Sequence, residues 1–359
     1  MAESVDAGQF QQQLLSWYGR CGRDLPWRKT RDPYRIWLSE VMLQQTGVQA
    51  VIPYFERFVS QFPDVESLAA APVDAVIELW AGLGYYSRAR NLHAAAQKVC
   101  EVFQGRFPST VDDLMTLPGV GRSTAGAIRA IAFDQHGVIL DGNVRRVLCR
   151  LFAWQDDPRS SVAEKQLWQW AALLTPEERC HDYAQAIMDF GATLCTPRQP
   201  QCDCCPMTVL CQGFQQGIQE QLPRKRQRKA VPLRQEVAVL VEHNGRFAVR
   251  QRPLTGMLAG LWEFPSQSFE QPQSERQLFA HAQVLLGNEN PQPVQRLGVV
   301  RHVYSHFRVD VTTYYILADE IQTETFSSCR WLKPAELADW PLHGSHKKIV
   351  ETLLAQREK

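Results

Sequence analysis

The period of the apolar residues changes once along the chain. Up to Gln221 they recur three and four positions apart, as in helices buried on one face; from Gln235 they alternate, as in strands. In the first part, Phe10 to Tyr18, Arg35 to Thr46, Leu92 to Val102, Val144 to Leu151, Gln166 to Leu174 and Ala184 to Leu194 read as helices. The stretch from Ile52 to Trp80 reads as shorter helices parted by proline turns at Ile52-Pro53 and Phe62-Pro63. In the second part, Glu236–Glu242 and Arg246–Arg252 read as strands joined by His243-Asn244-Gly245, where Asn-Gly is a strong hairpin-turn signal. Leu261–Pro265, Val299–Val303 and Phe307–Leu317 continue the strand pattern, and a helix closes the chain. The expected organisation is an all-α domain over 1–221, a linker over 222–234 and a smaller α+β domain over 235–359.

Composition adds bounds. A chain of 359 residues is long enough for two or three domains, and 45% hydrophobic with 21% charged residues describes a globular protein. No apolar run approaches the roughly 18 residues of a membrane span, and Met1–Asp6 has neither a basic nor an apolar leader region, so a cytoplasmic protein without a membrane partner is expected. The net charge of +1 leaves room for a local basic face. The run Leu222–Pro232 holds five Arg and Lys and no acid, which suits an exposed linker; a nuclear-import signal and a connector that touches nucleic acid both fit it.

Of ten cysteines, Cys21, Cys100, Cys149, Cys180 and Cys329 lie singly, as reduced thiols do. The other five crowd into 195–211, with the spacing Cys195-x6-Cys202-x2-Cys205-x5-Cys211. That crowding calls for a metal or cluster. A zinc site more often pairs two Cys-x2-Cys knuckles, and here there is one. Cys204 is surplus to the pattern.

Two carboxyls stand out as chemistry. In Leu117-Pro118-Gly119-Val120-Gly121-Arg122-Ser123, proline and two glycines mark a tight turn between helices. The unpaired N–H groups that open the second helix make an anion site suited to a DNA phosphate. Asp141 follows in Leu140-Asp141-Gly142-Asn143-Val144, where it is either an N-cap or a catalytic carboxylate. Glu40 shares a helix face with Ile36 and Leu43, and apolar neighbours push a carboxyl's pKa upward, as a general acid requires. In Gly82–Leu92, Tyr85 and Tyr86 lie beside Arg88 and Arg90, which suits either a surface for stacking bases and neutralising phosphates or a tyrosine core with a solvated face.

The hairpin followed by Leu140-Asp141-Gly142-Asn143-Val144-x-Arg146 resembles the helix-hairpin-helix DNA glycosylases. Ser39-Glu40-Val41-Met42-Leu43-Gln44-Gln45-Thr46, the cysteine spacing and Gly260-Leu261-Trp262-Glu263-Phe264-Pro265 resemble the MutY family of adenine-specific mismatch glycosylases, and the likeness covers nearly the whole chain. It implies a helix-hairpin-helix domain with a [4Fe–4S] cluster held by Cys195, Cys202, Cys205 and Cys211, then a Nudix-like domain. It implies a monofunctional enzyme of bacterial type, a cytoplasmic monomer, that flips and hydrolyses adenine mispaired with 8-oxoguanine or guanine in duplex DNA. Glu40 would protonate adenine at N7, and Asp141, helped by Asn143, would stabilise the oxocarbenium-like sugar. Gln45 and Tyr85 would wedge into the vacated stack. Arg23, Trp27, Arg28, Leu43 and Gln185 would line the adenine pocket, and Gly119, Gly121, Ser123 and Arg88 would meet DNA. The second domain would read 8-oxoguanine through Tyr304-Ser305-His306-Phe307, where Tyr304 replaces the phenylalanine of many relatives. The acidic Nudix box is not visible, so no nucleotide hydrolysis is expected there. The related endonuclease III-like lyases use a Schiff-base lysine where this chain has Ser123, and a hydroxyl cannot form an imine. A non-catalytic iron–sulfur module would have no reason to carry both Glu40 and Asp141.

Overall fold

The computed structural model describes residues 5–224, 231–253, 256–287, 294–304, 307–318 and 326–357. The chain forms two compact units, Met1–Gln227 and Arg228–Lys359. The division between them falls inside the basic run. Leu222 at its start is buried in the first unit, where its carbonyl accepts from Arg150 Nε at 3.0 Å, and a strand already begins at Leu233. Among the described residues no helix is long and apolar enough to cross a membrane.

The first unit is helical: α1 (Ala7–Cys21), α2 (Pro33–Leu43), α3 (Val48–Gln61), α4 (Val65–Ala70), α5 (Val73–Leu79), α6 (Ser87–Phe103), α7 (Val111–Met115), α8 (Arg122–Phe133), α9 (Gly142–Leu151), α10 (Ser161–Leu174), α11 (Cys180–Asp189) and α12 (Gln212–Gln215). Side-chain caps set many of the starts: Asp6, Asp32, Asp64, Thr110, Asp141 and Ser160 each accept a backbone N–H of the first turn. Pro53 lies inside α3 rather than ending a helix. The helix read through Thr46 stops at Leu43, because Gln45 takes a left-handed conformation at φ 58°. Two apolar cores result. One gathers Phe10, Leu14, Val147, Leu167 and Ile187; the other gathers Trp37, Phe55, Phe58, Trp80 and Leu92. Helices α2 and α8 serve both, since Ile36, Ala127 and Ile131 face the first core while Leu38, Ala125 and Ile128 face the second.

The second unit is a mixed sheet of β1 (Leu233–His243), β2 (Arg246–Gln251), β3 (Trp262–Glu263), β4 (Ser266–Phe269), β5 (Gln295–Val303), β6 (Arg308–Leu317) and β7 (Arg330–Leu332). The order is β3-β2-β1-β6-β5, with β4 on β1 and β7 on β2; β1 and β6 run parallel, from Leu233 opposite Arg308 to Glu242 opposite Leu317. Three helices complete it: α13 (Glu275–Leu285), α14 (Pro334–Asp339) and α15 (Gly344–Arg357). The run Val237–Val241 is buried on both faces. Ala238 and Leu240 meet Ile349 and Leu353 of α15, while Val237, Val239 and Val241 meet Leu278 and Ala282 of α13. The β1–β2 turn has positive φ at both Asn244 and Gly245, the geometry that Asn-Gly favours.

Candidate active site

A cavity of about 920 Å³ opens where the two cores of the first unit meet, and Glu40 and Asp141 both line it. Glu40 sits on α2 and keeps part of its surface open to the cavity. Burial and, less strongly, the Asp141 carboxyl push its pKa up to about 7 against the opposing Arg28 guanidinium. Asp141 caps α9: its Oδ1 accepts the Val144 N–H at 2.7 Å and its Oδ2 accepts from Asn143 Nδ2 at 3.4 Å. Burial raises its pKa, against the Val144 and Asn143 hydrogen bonds and the Arg146 charge, which favour the anion. N-cap and acid are therefore the same residue. Asn143 Oδ1 in turn accepts from Arg146 Nη2 at 2.9 Å, and Arg146 also donates to the carbonyls of Gly191 and Cys195.

The distance between the two carboxyls is set by backbone packing. Helix α2 lies on α8. On α8, Gly126 meets the chain leading to Asp141 so closely that a Cβ there would stand 2.0 Å from the Val138 carbonyl oxygen. A Cβ on Gly137 would likewise stand 2.2 Å from the Gly126 carbonyl oxygen. Ser123, also on the wall, fastens the same segment by accepting the Leu140 N–H at 3.0 Å.

Arg23, Trp27, Arg28, Leu43, Asn143 and Gln185 all line the cavity. Trp27 is buried and packs edge-on against Phe55. Gln185 is buried, donates to the His181 carbonyl at 3.2 Å, and has a buried amide oxygen without a hydrogen-bond partner among the described residues. The two arginines also share a partner that the sequence reading did not name. Both bind the fully buried Asp189, Arg28 through two bonds of 2.6 Å and Arg23 through its backbone N–H and guanidinium. Burial works to raise the Asp189 pKa, yet the bonds from Arg28 and Arg23 hold it below the usual carboxylate range. Asp189 escaped the sequence reading. Its signal is an acid on the apolar helix end Ala186-Ile187-Met188-Asp189-Phe190.

Gln45, Tyr85, Gly119 and Gly121 stand exposed and apart from the cavity wall. Gly119 has φ 80°, and a Cβ there would meet Asn91, so the hairpin tip requires glycine. Gly121 caps α8 with no side-chain partner, leaving the first N–H groups of the helix outward. Arg88 corrects the expectation of a phosphate-facing side chain: it is buried, and backbone carbonyls take most of its donors. Ser305 and His306 lie outside the described residues.

Cys195, Cys202, Cys205 and Cys211 line a second, apolar cavity with Phe10, Leu151, Leu194 and Met207. Burial pushes the Cys205 thiol up to about 12 and Cys211 to about 11, so these groups need a bound cation to serve as thiolates. Arg150 is buried on the same wall: its Nη1 donates to Cys195 Sγ at 3.3 Å, and its Nη2 has no partner among the described residues. A buried guanidinium with one donor on sulfur suits an anionic iron–sulfur group. In the second unit, Glu236, His343 and His346 bring their ligand atoms within 4.8 Å of one another. Those atoms already hydrogen-bond, His346 Nε2 to Glu236 at 2.7 Å and His343 Nε2 to Glu263 at 3.3 Å, while Arg250 and Arg252 pair with Glu263.

Residues 38–172 match the HhH-GPD superfamily of base excision DNA repair proteins, and residues 236–352 match the NUDIX domain. Adenine DNA glycosylase of Rattus norvegicus is 39% identical over 97% of this chain and 78% of its own length. That of Homo sapiens is 38% identical over 97% and 74%, and that of Buchnera aphidicola subsp. Baizongia pistaciae is 33% identical over 87% of each. The chain belongs to the adenine DNA glycosylase family. A thermostable thymine-DNA glycosylase shares the fold of 58% of this chain, covering 97% of its own, with a TM-score of 0.54 at 30% identity. An endonuclease III from a DNA complex covers 60% of this chain and 99% of its own at TM-score 0.50 and 22% identity, a likeness of fold. The helical first unit is thus the helix-hairpin-helix domain, with α7 and α8 as its hairpin, and the mixed sheet is the Nudix-like domain.

Proposed function

We propose that Glu40 and Asp141 share the two-carboxyl chemistry of N-glycosidic hydrolysis, acting on adenine mispaired with 8-oxoguanine or guanine in duplex DNA. The protein is a hydrolase of base excision repair that removes adenine. One observation carries the assignment of roles: two carboxyls share one cavity, both raised by burial, and Asp141 is the one held by hydrogen bonds from Val144 and Asn143. Glu40, with a pKa raised to about 7, holds a proton at neutral pH and gives it to N7 of the flipped base. Asp141 receives two hydrogen bonds at a helix N-terminus, a setting that favours the anion facing the positive sugar. Asn143 orients it, and water completes hydrolysis. The free amide oxygen of Gln185 suits the exocyclic amine of adenine. Trp27 and Leu43 supply flat and apolar wall, and Asp189 fixes Arg23 and Arg28 at the rim.

Outside the cavity, the N–H groups after Gly121 hold a phosphate while Gln45 and Tyr85 fill the emptied stack. Cys195, Cys202, Cys205 and Cys211 hold one [4Fe–4S] cluster, which cross-links the loop and supplies no step of base release. The Nudix-like domain carries the 8-oxoguanine preference through Ser305 and His306, and the enzyme works as a monomer. The deciding assay is single-turnover base release from duplexes with adenine opposite 8-oxoguanine, guanine and thymine. Release from the first two and not the third is expected; equal release from A:T would overturn the reading.

A further inference from the structure

Two exposed residues of the first unit, Gln45 and Tyr85, are left-handed at φ 58° and 51° although neither is glycine. Such a backbone is costly for a side-chain-bearing residue and persists only where its surroundings over-determine it. Here both are held from beneath by one side chain. Arg88, the second residue of α6, is 7% exposed. Its Nη1 donates to the carbonyls of Val41, Met42 and Gln44 at 3.1, 2.7 and 2.6 Å, on one side of Gln45. Its Nη2 donates to Thr46 Oγ1 at 3.0 Å, on the other side of Gln45, and to the carbonyls of Leu83 and Gly84 at 3.2 and 3.0 Å, just before Tyr85. The guanidinium also lies 5.5 Å from the Tyr85 ring centroid and 5.2 Å from that of Trp80.

This placement has a cost. A cation in the first turn of a helix opposes the macrodipole, and a buried guanidinium loses its hydration. The compensation lies at the other end of the contact. Val41 and Met42 belong to the last turn of α2, where the Val41 carbonyl also accepts the Gln44 N–H at 3.3 Å, and the C-terminal end of a helix favours a cation. Lysine could not do the same, because a planar fork is needed to serve two separate loops at once.

We infer that Arg88 is a positioning residue for base flipping: it locks the Gln44–Thr46 and Leu83–Tyr86 loops into one rigid pair, so that Gln45 and Tyr85 enter the stack together. This rests on the proposed wedge role of those two residues. It gives Arg88 no contact with DNA and no part in the chemical step.

The test is a mutant cycle in the full-length, cluster-bearing enzyme. It uses single-turnover release of adenine from an A:G duplex, and fluorescence of a 2-aminopurine placed beside the adenine to report unstacking. Arg88→Lys is expected to slow release about ten- to a hundredfold with an equal loss of the unstacking signal. Thr46→Val removes one contact point without touching Arg88 and is expected to slow release two- to fivefold. In a Gln45→Ala/Tyr85→Ala background, either change should add less than twofold, since there is no wedge left to position. A residue that merely held the fold would add its full loss again, and that result overturns the inference. So does a full unstacking signal in Arg88→Lys. If the Gln45→Ala/Tyr85→Ala pair itself unstacks and cleaves normally, the wedge reading fails and the inference with it. If only that pair is impaired while Arg88→Lys and Thr46→Val are not, the inference alone fails.

Discussion

Both units bury acidic side chains, and they treat them in opposite ways. In the Nudix-like unit, Glu263 is 3% exposed and pairs with Arg250, Arg252 and His343. Burial works to raise its pKa, yet these partners hold it down at about 2. Glu236 is likewise held low by His346 and Ser268 against its burial. In the glycosylase unit, Glu40 shares a cavity with another acid and rises to about 7. Asp189 lies a few residues from that cavity's lining and follows the first pattern, with its two arginines. A buried carboxyl with its full set of partners is architecture; one left short of partners beside open space is poised for proton transfer. Burial alone does not separate the two.

The largest effect should come from removing the poised pair. Glu40→Gln and Asp141→Asn should each cut single-turnover base release by about 10²–10⁴-fold while the protein still folds and binds the mispaired duplex. A variant within a few-fold of the unaltered rate would refute its assigned role. Next in size is Glu263→Gln, which leaves two arginines and a buried histidine without their anion. The second unit should lose on the order of 2–4 kcal/mol in denaturant unfolding, with base release from A:G unchanged.

The third prediction concerns pH and has the reverse sign for the poised acid. Because the folded pKa of Glu40 lies above its unfolded value of 4.5, its contribution to stability is present below pH 4.5 and is lost as pH rises through about 7. Glu40→Gln should therefore be more stable than the unaltered protein at pH 8, by on the order of 1–3 kcal/mol, with the gap closing toward pH 5. Base release should fall about tenfold per pH unit above 7, as Glu40 loses its proton. Glu263 behaves oppositely: its contribution is present above pH 4.5 and lost as pH falls toward 2, which acid titration of the second unit should show.

The smallest effect tests the architectural network near the proposed lesion reader. The Tyr304 hydroxyl bonds His343 Nδ1, Ser345 Oγ and the Ser345 N–H at 3.0–3.1 Å, and the Tyr304 N–H donates to the Phe307 carbonyl at 2.8 Å across the β5–β6 turn. Tyr304→Phe keeps the ring and removes three bonds. The ratio of A:8-oxoguanine to A:G release should drop two- to fivefold, about one net hydrogen bond's worth. An unchanged ratio would detach this network from lesion recognition.

Much of this was legible in the sequence because the relevant signals are local. The change of apolar period gives the two classes of unit, Asn244-Gly245 gives its hairpin, and Pro118 to Gly121 gives the helical one. Helix spacing and a capping position left Glu40 and Asp141 open as sites, and it was the resemblance of their motifs to the glycosylases that singled them out. Partners distant in sequence were not. Nothing near Arg88 shows that its donors end on Met42 and Gln44, and nothing near Arg23 or Arg28 points to Asp189. For the same reason the sequence extended α2 to Thr46: Gln44-Gln45-Thr46 holds no glycine or proline to end a helix, but Arg88 and the left-handed Gln45 stop it. Strands β4 and β7 and helix α13 escaped because they are short or weakly patterned and exist only against β1 and β2.

The contact between Gly126 and Val138 makes the active site a gauge with no slack. The helix carrying Glu40 rests on the helix carrying Gly126, and Val138 touches that glycine three residues before Asp141. The interval between acid and anion is thus measured out by two hydrogen atoms rather than by side chains that could repack. Tolerance at this point is one-sided. Nothing smaller than glycine exists to bring the carboxyls closer, and anything larger forces them apart by the width of the added group.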